Sequence, residues 1–138
     1  MAQSISDALG ELSLFADLTR PQLEAVATQL EERSFDAGRR ILHQGFEGEG
    51  FYVILDGRAA VRIDGREVSV LSRGDFFGEI SLLLSDKPSA DVVALEQLRC
   101  LTLAGHQLQE FLLSYPPLMF RMLQSQARRL RATSAWRS

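Results

Sequence analysis

Between Arg33 and about Leu103 the sequence never settles into a helical period. It runs instead as short stretches rich in β-formers: Arg39–His43, Phe51–Leu55, Arg58–Ile63, Glu67–Leu71, Ala90–Leu95 and Arg99–Leu103. Turn signals separate them, at Ala37-Gly38, Gly45, Gly48, Gly50, Asp56-Gly57, Asp64-Gly65 and Gly74. A parallel crossover needs a dozen or more residues, usually a helix, so strands joined this tightly run antiparallel. Asp64-Gly65 is the sharpest signal, because a two-residue primed hairpin turn needs positive φ at both central positions. The pattern predicts an antiparallel barrel or roll and argues against a βαβ sheet.

On both sides of this region the period is helical. Thr19 is placed to cap a helix, with Pro21 in its first turn and Gln22 closing a capping box. Leu23, Val26, Ala27 and Leu30 then follow at helical spacing. A shorter segment before it, with Ile5, Leu9, Leu12 and Phe15, reads as helical too. After Gly105, Leu108, Phe111 and Leu112 predict a short helix that stops near Tyr115-Pro116-Pro117. A longer helix runs from about Pro117 towards Ser134, with Leu118, Met122, Leu123, Ala127 and Leu130 as its apolar face. No low-complexity linker or repeat interrupts the chain, so residues 1–138 are expected to form a single domain. Its parts are N-terminal helices (1–32), a β-roll (33–104) and two C-terminal helices (105–138). The fold class is α+β: a jelly-roll-like antiparallel β-roll of about eight strands with helices at either end.

Charge and cysteine content remove several function classes. The net charge of −3 hides an asymmetry: residues 118–138 hold five arginines and no acid, against ten cations and eighteen acids before them. A basic terminal helix raises the question of nucleic acid, but one +5 segment on an acidic chain does not carry that reading. No run of eighteen apolar residues is present, so no membrane segment is expected. The first residues lack the basic start and apolar stretch of a secretory signal, and a cytoplasmic address is expected. Cys100 is the one cysteine, which excludes an internal disulfide or a CxxC redox pair and reads as a small apolar strand residue. With only His43 and His106, a multi-histidine metal site within one chain is also out.

One stretch breaks the strand rhythm: Gly74-Asp75-Phe76-Phe77-Gly78-Glu79, about one helical turn, then a loop through Pro88 to Ala90. Phosphate chemistry has a use for this. Gly78 permits close backbone approach, N–H groups at a helix start attract an anion, and Glu79 can accept hydrogen bonds from sugar hydroxyls. The bland reading is a turn and a half-buried helix, with Glu79 complementing the helix dipole.

At this point the sequence resembles the cyclic nucleotide-binding domains, the regulatory domains of the catabolite activator and FNR-type regulators above all. Leu14-Phe15-Ala16-Asp17-Leu18 is similar to the opening of the family's first helix pair. Gly45, Tyr52-Val53-Ile54-Leu55 and Gly57 resemble its glycine-marked strands, and Gly74 to Glu79 the start of its phosphate-binding cassette, here 74–91. Tyr115-Pro116 and Ala127-Arg128-Arg129-Leu130 match its terminal helices. The resemblance implies a small regulatory module with cAMP or cGMP as the possible ligand and no other cofactor. It implies that Glu79 holds the ribose 2′-hydroxyl, that Gly78, Ile80 and Ser81 line the ribose and phosphate, and that Ser89 and Ala90 occupy the phosphate-gripping pair. Arg129 matches a helix arginine able to pair with the glutamate, and Thr133 and Ser134 match positions that touch adenine, one of them across a dimer interface.

The departure is at Ser89, where the family has arginine. A guanidinium there would supply a charge-assisted, often bidentate grip on the phosphate. Its loss corresponds to about 1.5–3 kcal/mol, roughly ten- to hundredfold in affinity. Lys87 could substitute in part, and Asp91 would repel a phosphate if it faced inward. Three readings stay open: a cyclic-nucleotide or other small-ligand sensor, a ligand-independent dimerisation domain with a degenerate pocket, and an enzyme on a cupin-like roll. The last is disfavoured, since the sequence offers no nucleophile–base motif or metal-ligand cluster. The terminal helix is expected to pair with its twin in a homodimer through Met119, Met122, Leu123, Gln126, Leu130 and Thr133. No DNA contact is expected through this domain.

Overall fold

The structure is a computed structural model that describes residues 4–46 and 50–132. It opens with α1 (Ile5–Gly10), a 3₁₀ turn (Ser13–Phe15) and α2 (Arg20–Gln29). The strands that follow are β1 (Glu31–Phe35), β2 (Arg40–Leu42), β3 (Gly50–Asp56), β4 (Ala59–Ile63), β5 (Arg66–Leu71) and β6 (Phe76–Phe77). Helix α3 (Glu79–Leu84) interrupts them before β7 (Asp91–Ala94) and β8 (Leu98–Ala104). Helices α4 (Leu108–Ser114) and α5 (Pro116–Ala132) come last. The strands make two four-stranded antiparallel sheets, ordered β1-β8-β3-β6 and β2-β7-β4-β5. This is the antiparallel β-roll with flanking helices that the strand pattern predicts.

The period-two geometry of a strand explains the two cores. Along β3, Phe51, Val53 and Leu55 face the helices and join Leu9, Phe15, Val26, Phe111 and Leu118. The intervening Tyr52 and Ile54 face the second sheet and join Leu71, Val92, Leu98 and Cys100. Strand β6 divides the same way, with Phe76 in the helical core and Phe77 stacked on Tyr52 at 4.8 Å between the sheets. Each such large side chain removed from water stabilises the fold by about 1.5–3 kcal/mol.

Local signals act where the sequence puts them. Thr19 and Gln22 form both bonds of the capping box, at 3.3 and 2.9 Å. Asp64 (φ 53°) and Gly65 (φ 80°) make the β4–β5 hairpin turn. Other boundaries shift. The first helical segment breaks after Gly10, so Leu12 and Phe15 reach the core through the 3₁₀ turn. Helix α2 ends at Gln29, and Leu30 stays buried with extended backbone. Strand β1 begins at Glu31, two residues ahead of the expected start of the roll, and β6 lies inside what reads as a glycine turn.

The face of α5 divides. Leu118 and Met122 are buried in the helical core, whereas Leu123, Ala127 and Leu130 are exposed. Arg121 fixes the start of this helix by donating from Nε and Nη2 to the Asp17 carboxylate at 2.7 and 3.0 Å. Its second half is thereby carried over β6 and the start of α3.

Candidate functional site

The start of α3 is built by an unusual backbone. Gly78 has φ +94° and forms the N-cap, and a Cβ on it would lie 2.3 Å from the Gly50 carbonyl oxygen. Only glycine fits, and what excludes a side chain is β3 itself, not an approaching ligand. The next residue, Glu79, is 1% exposed. Ser81, also buried, donates its hydroxyl to the Gly78 carbonyl at 3.3 Å.

The Glu79 carboxylate is held from α5. The Gln126 side-chain amide donates to Oε2, and the Arg129 Nη1 lies 3.6 Å from the same oxygen. Arg129 is held as well: its guanidinium carbon sits 4.8 Å from the centre of the Phe76 ring, and Nη2 donates to the Phe76 carbonyl at 3.3 Å. Burial pushes the Glu79 carboxyl above its ordinary value, opposed by its own backbone N–H, by Arg129 and by Gln126.

These groups border a cavity of about 210 Å³. Gly78, Glu79, Ile80, Ser81, Ser89, Ala90 and Arg129 all line it, so seven of the nine residues singled out by sequence meet at one place. Thr133 and Ser134 lie outside the described residues. The remaining wall is mostly apolar, with Leu42, Val61, Leu71 and Val92 among it. Ser89 is exposed and Ala90 half-buried, on a loop pinned where Gly45 N–H donates to the Pro88 carbonyl at 2.9 Å.

Two neighbouring charges that bear on phosphate binding are placed elsewhere. Lys87 lies in a separate groove with Ser85, Asp86 and His106, so it does not stand in for the absent arginine. The Asp91 carboxylate accepts from the Gln44 backbone N–H at 2.7 Å and lies 3.9 Å from the Arg40 Nε; it does not line the cavity.

Gln126 is the functional residue that sequence reasoning misassigned. It was expected in a dimer seam with Met122, yet Met122 is buried in its own core and Gln126 turns to Glu79. The available signal was spacing, since Gln126 and Arg129 are three apart and share a helix face. Among the described residues no group of three or more His, Cys, Asp or Glu could hold a metal ion, and no helix is long and apolar enough to cross a membrane.

Comparison with known proteins gives concordant matches. A family model described as the cyclic nucleotide-binding domain matches residues 32–115. A cGMP-dependent protein kinase of Eimeria tenella is 32% identical over 119 residues, 86% of this chain but 12% of the kinase. The chain therefore spans about an eighth of that relative's length. The catabolite activator protein of Thermus thermophilus superposes with a TM-score of 0.75 at 28% identity, covering 86% of this chain and 58% of its own. A regulatory subunit of a cAMP-independent protein kinase A from Trypanosoma cruzi, solved with guanosine, superposes with a TM-score of 0.71 at 26% identity, covering 81% and 40%.

Proposed function

Since the chain belongs to the cyclic nucleotide-binding domain family, we propose that it is a non-enzymatic, cytoplasmic regulatory module sensing a small ribose-bearing ligand in the cavity beneath α5. Family membership puts cAMP and cGMP forward as ligands, and the trypanosomal relative with guanosine extends the class to nucleosides. The observation that carries the reading is the buried Glu79 carboxylate, set into an otherwise largely apolar cavity and contacted by α5.

A buried carboxylate demands donors. Gln126 supplies one from α5 and Arg129 adds its charge. A ribose hydroxyl is an equivalent donor, and at Oε2 it competes with the Gln126 amide for the space and lone pairs of one oxygen. Ligand and helix then compete for one acceptor, which is how an equilibrium between two helix positions is biased: the ligand makes contacts that differ between them. Gly78 and Ser81 shape the same end of the cavity, with Ile80 at its rim. Calorimetry with cAMP, cGMP, adenosine and guanosine at up to millimolar concentration tests this. Silence with all four, alongside a cooperative thermal transition, overturns it.

A homodimer through α5 is the second part of the proposal. Met119, Leu123 and Leu130 are 37%, 63% and 48% exposed at spacings of four and seven, an apolar stripe on the part of α5 not used by its own core. Sedimentation of the chain tests it, and a monomer at all accessible concentrations overturns it.

A further inference from the structure

We infer that the cavity, granting that a ribose lies against Glu79 as proposed above, is built for an uncharged ligand: a nucleoside in preference to its cyclic phosphate. The grounds are the charged groups that face the cavity and what each of them already does.

Among the described residues, only Glu79 and Arg129 contribute formal charge to its lining, and they face each other. Arg129 is held by the Phe76 ring, the Phe76 carbonyl and the Glu79 carboxylate. Were it to swing to a phosphate, it would leave a carboxylate that is 1% exposed without its cation. It would also give up the Phe76 ring at 4.8 Å and the Phe76 carbonyl at 3.3 Å, so three contacts together hold it in place. The cation that could grip a phosphate must therefore come from elsewhere.

The cassette loop provides none. Pro88, Ser89 and Ala90 are its cavity-lining positions, and none of them carries a charge. Lys87 opens into the neighbouring groove. Arg40 lies beside Asp91 and does not line the cavity. Among the described residues, an anion enclosed by Leu42, Val61 and Val92 would meet Ser69 and Ser89 hydroxyls but no free positive charge.

A nucleoside has no such unmatched group. Its hydroxyls find Glu79, its base has apolar faces for the leucine and valine walls, and nothing in it requires a cation. The chemistry that this site lacks is the chemistry a nucleoside does not need.

The test is a paired titration of the chain with adenosine against cAMP and guanosine against cGMP, repeated on Ser89→Arg and Ser89→Lys. Ser89 is exposed, so both variants are expected to keep the parent thermal midpoint. In the parent, at least one nucleoside should bind roughly tenfold or more tightly than its cyclic phosphate. In Ser89→Arg, affinity for the cyclic phosphate should rise roughly ten- to hundredfold relative to that for the matching nucleoside. A parent protein that binds cAMP or cGMP as tightly as the matching nucleoside overturns the inference and leaves the sensor reading standing. A Ser89→Arg protein that folds and gains nothing for the cyclic phosphate also overturns it. Silence with all four compounds overturns the sensor reading and this inference together.

Discussion

Replacing Glu79 by glutamine separates what the carboxylate does for the fold from what it does for a ligand. The native carboxyl is raised above its ordinary value of 4.5, chiefly by burial. Between that ordinary value and the raised one, the native state keeps a proton that the unfolded chain has released. Stability therefore falls as pH rises through this window, and above it the deficit is constant. Glutamine has the same shape, and its carbonyl oxygen can accept from Gln126, so the interior keeps that bond without a charge. An ionised carboxylate taken out of water carries a desolvation penalty of several kcal/mol, from which a neutral amide of the same shape is largely free. Two losses subtract from this. The Arg129 side chain is 36% exposed, so its attraction is screened and amounts to about 0–1 kcal/mol. The oxygen turned into NH₂ gives up the bond from the residue's own N–H, about 1 kcal/mol. At least about 1 kcal/mol of net stabilisation is left at pH 7, which raises Tm by about 3–5 °C or more for a domain of this size. The assay is thermal unfolding of both proteins from pH 4.5 to 8, with nucleoside titration at pH 7. Glu79→Gln should be the more stable at pH 7, lose the downward slope of the parent, and bind ligand roughly ten- to hundredfold more weakly. A variant less stable than the parent at pH 7, with the same pH slope, refutes the account of Glu79 as a destabilising carboxylate kept for binding.

Three further outcomes follow from particular positions. Gly78→Ala combines a left-handed φ with a Cβ 2.3 Å from the Gly50 oxygen, and should lower stability by about 3 kcal/mol in urea titration. A loss under about 1 kcal/mol would mean that β3 and the start of α3 are not packed this closely. Cys100 is fully buried and its thiol is pushed up to about 12, so a maleimide at pH 8 should label the native protein only as fast as it unfolds. Labelling at the rate of a free thiol would contradict that placement. Leu123→Glu combined with Leu130→Glu should give a monomer in sedimentation with the parent far-UV spectrum, and a persisting dimer would move the seam off this stripe.

What could be read from the sequence was whatever depends on neighbours along the chain. The Thr19–Gln22 box and the Asp64-Gly65 turn each fix their backbone within four residues, and both form as read. Strand β1 could not be read, because four of its five residues are exposed and only Phe35 is buried. Its extended shape comes from pairing with β8, Glu31 opposite Thr102 through to Phe35 opposite Leu98. That partner lies some seventy residues away, and strand propensity is weak against such context. At the site, Glu79 and Ser89 were legible through resemblance because the cassette is a contiguous motif, and Arg129 through the separate match of the terminal helix. The reason for Gly78 was not, because the atom that forbids a side chain belongs to Gly50. Nor was Gln126: which way it points depends on how α5 is rolled, and that is set by Leu118 and Met122 in the core and by Arg121 on Asp17.

The roll of α5 also accounts for its charge. Of its four described arginines, Arg121 neutralises Asp17 at one end and Arg129 faces Glu79 at the other, while Arg128 and Arg131 are exposed. The basic helix is thus fastened to an acidic body at two points of different character. The Asp17 pair is solvent-exposed and lies beyond the reach of anything in the cavity. The Glu79 pair is buried on the carboxylate side and shares its oxygen with Gln126. A ligand that takes this oxygen loosens only the second fastening. Leu118 and Met122, both deep in the helical core, hold the first half of the helix where it is. Movement of α5 under the proposed reading therefore begins beyond Met122, in the half that carries Leu123 and Leu130, so that occupancy of the cavity and geometry of the apolar stripe are coupled through one short stretch of helix.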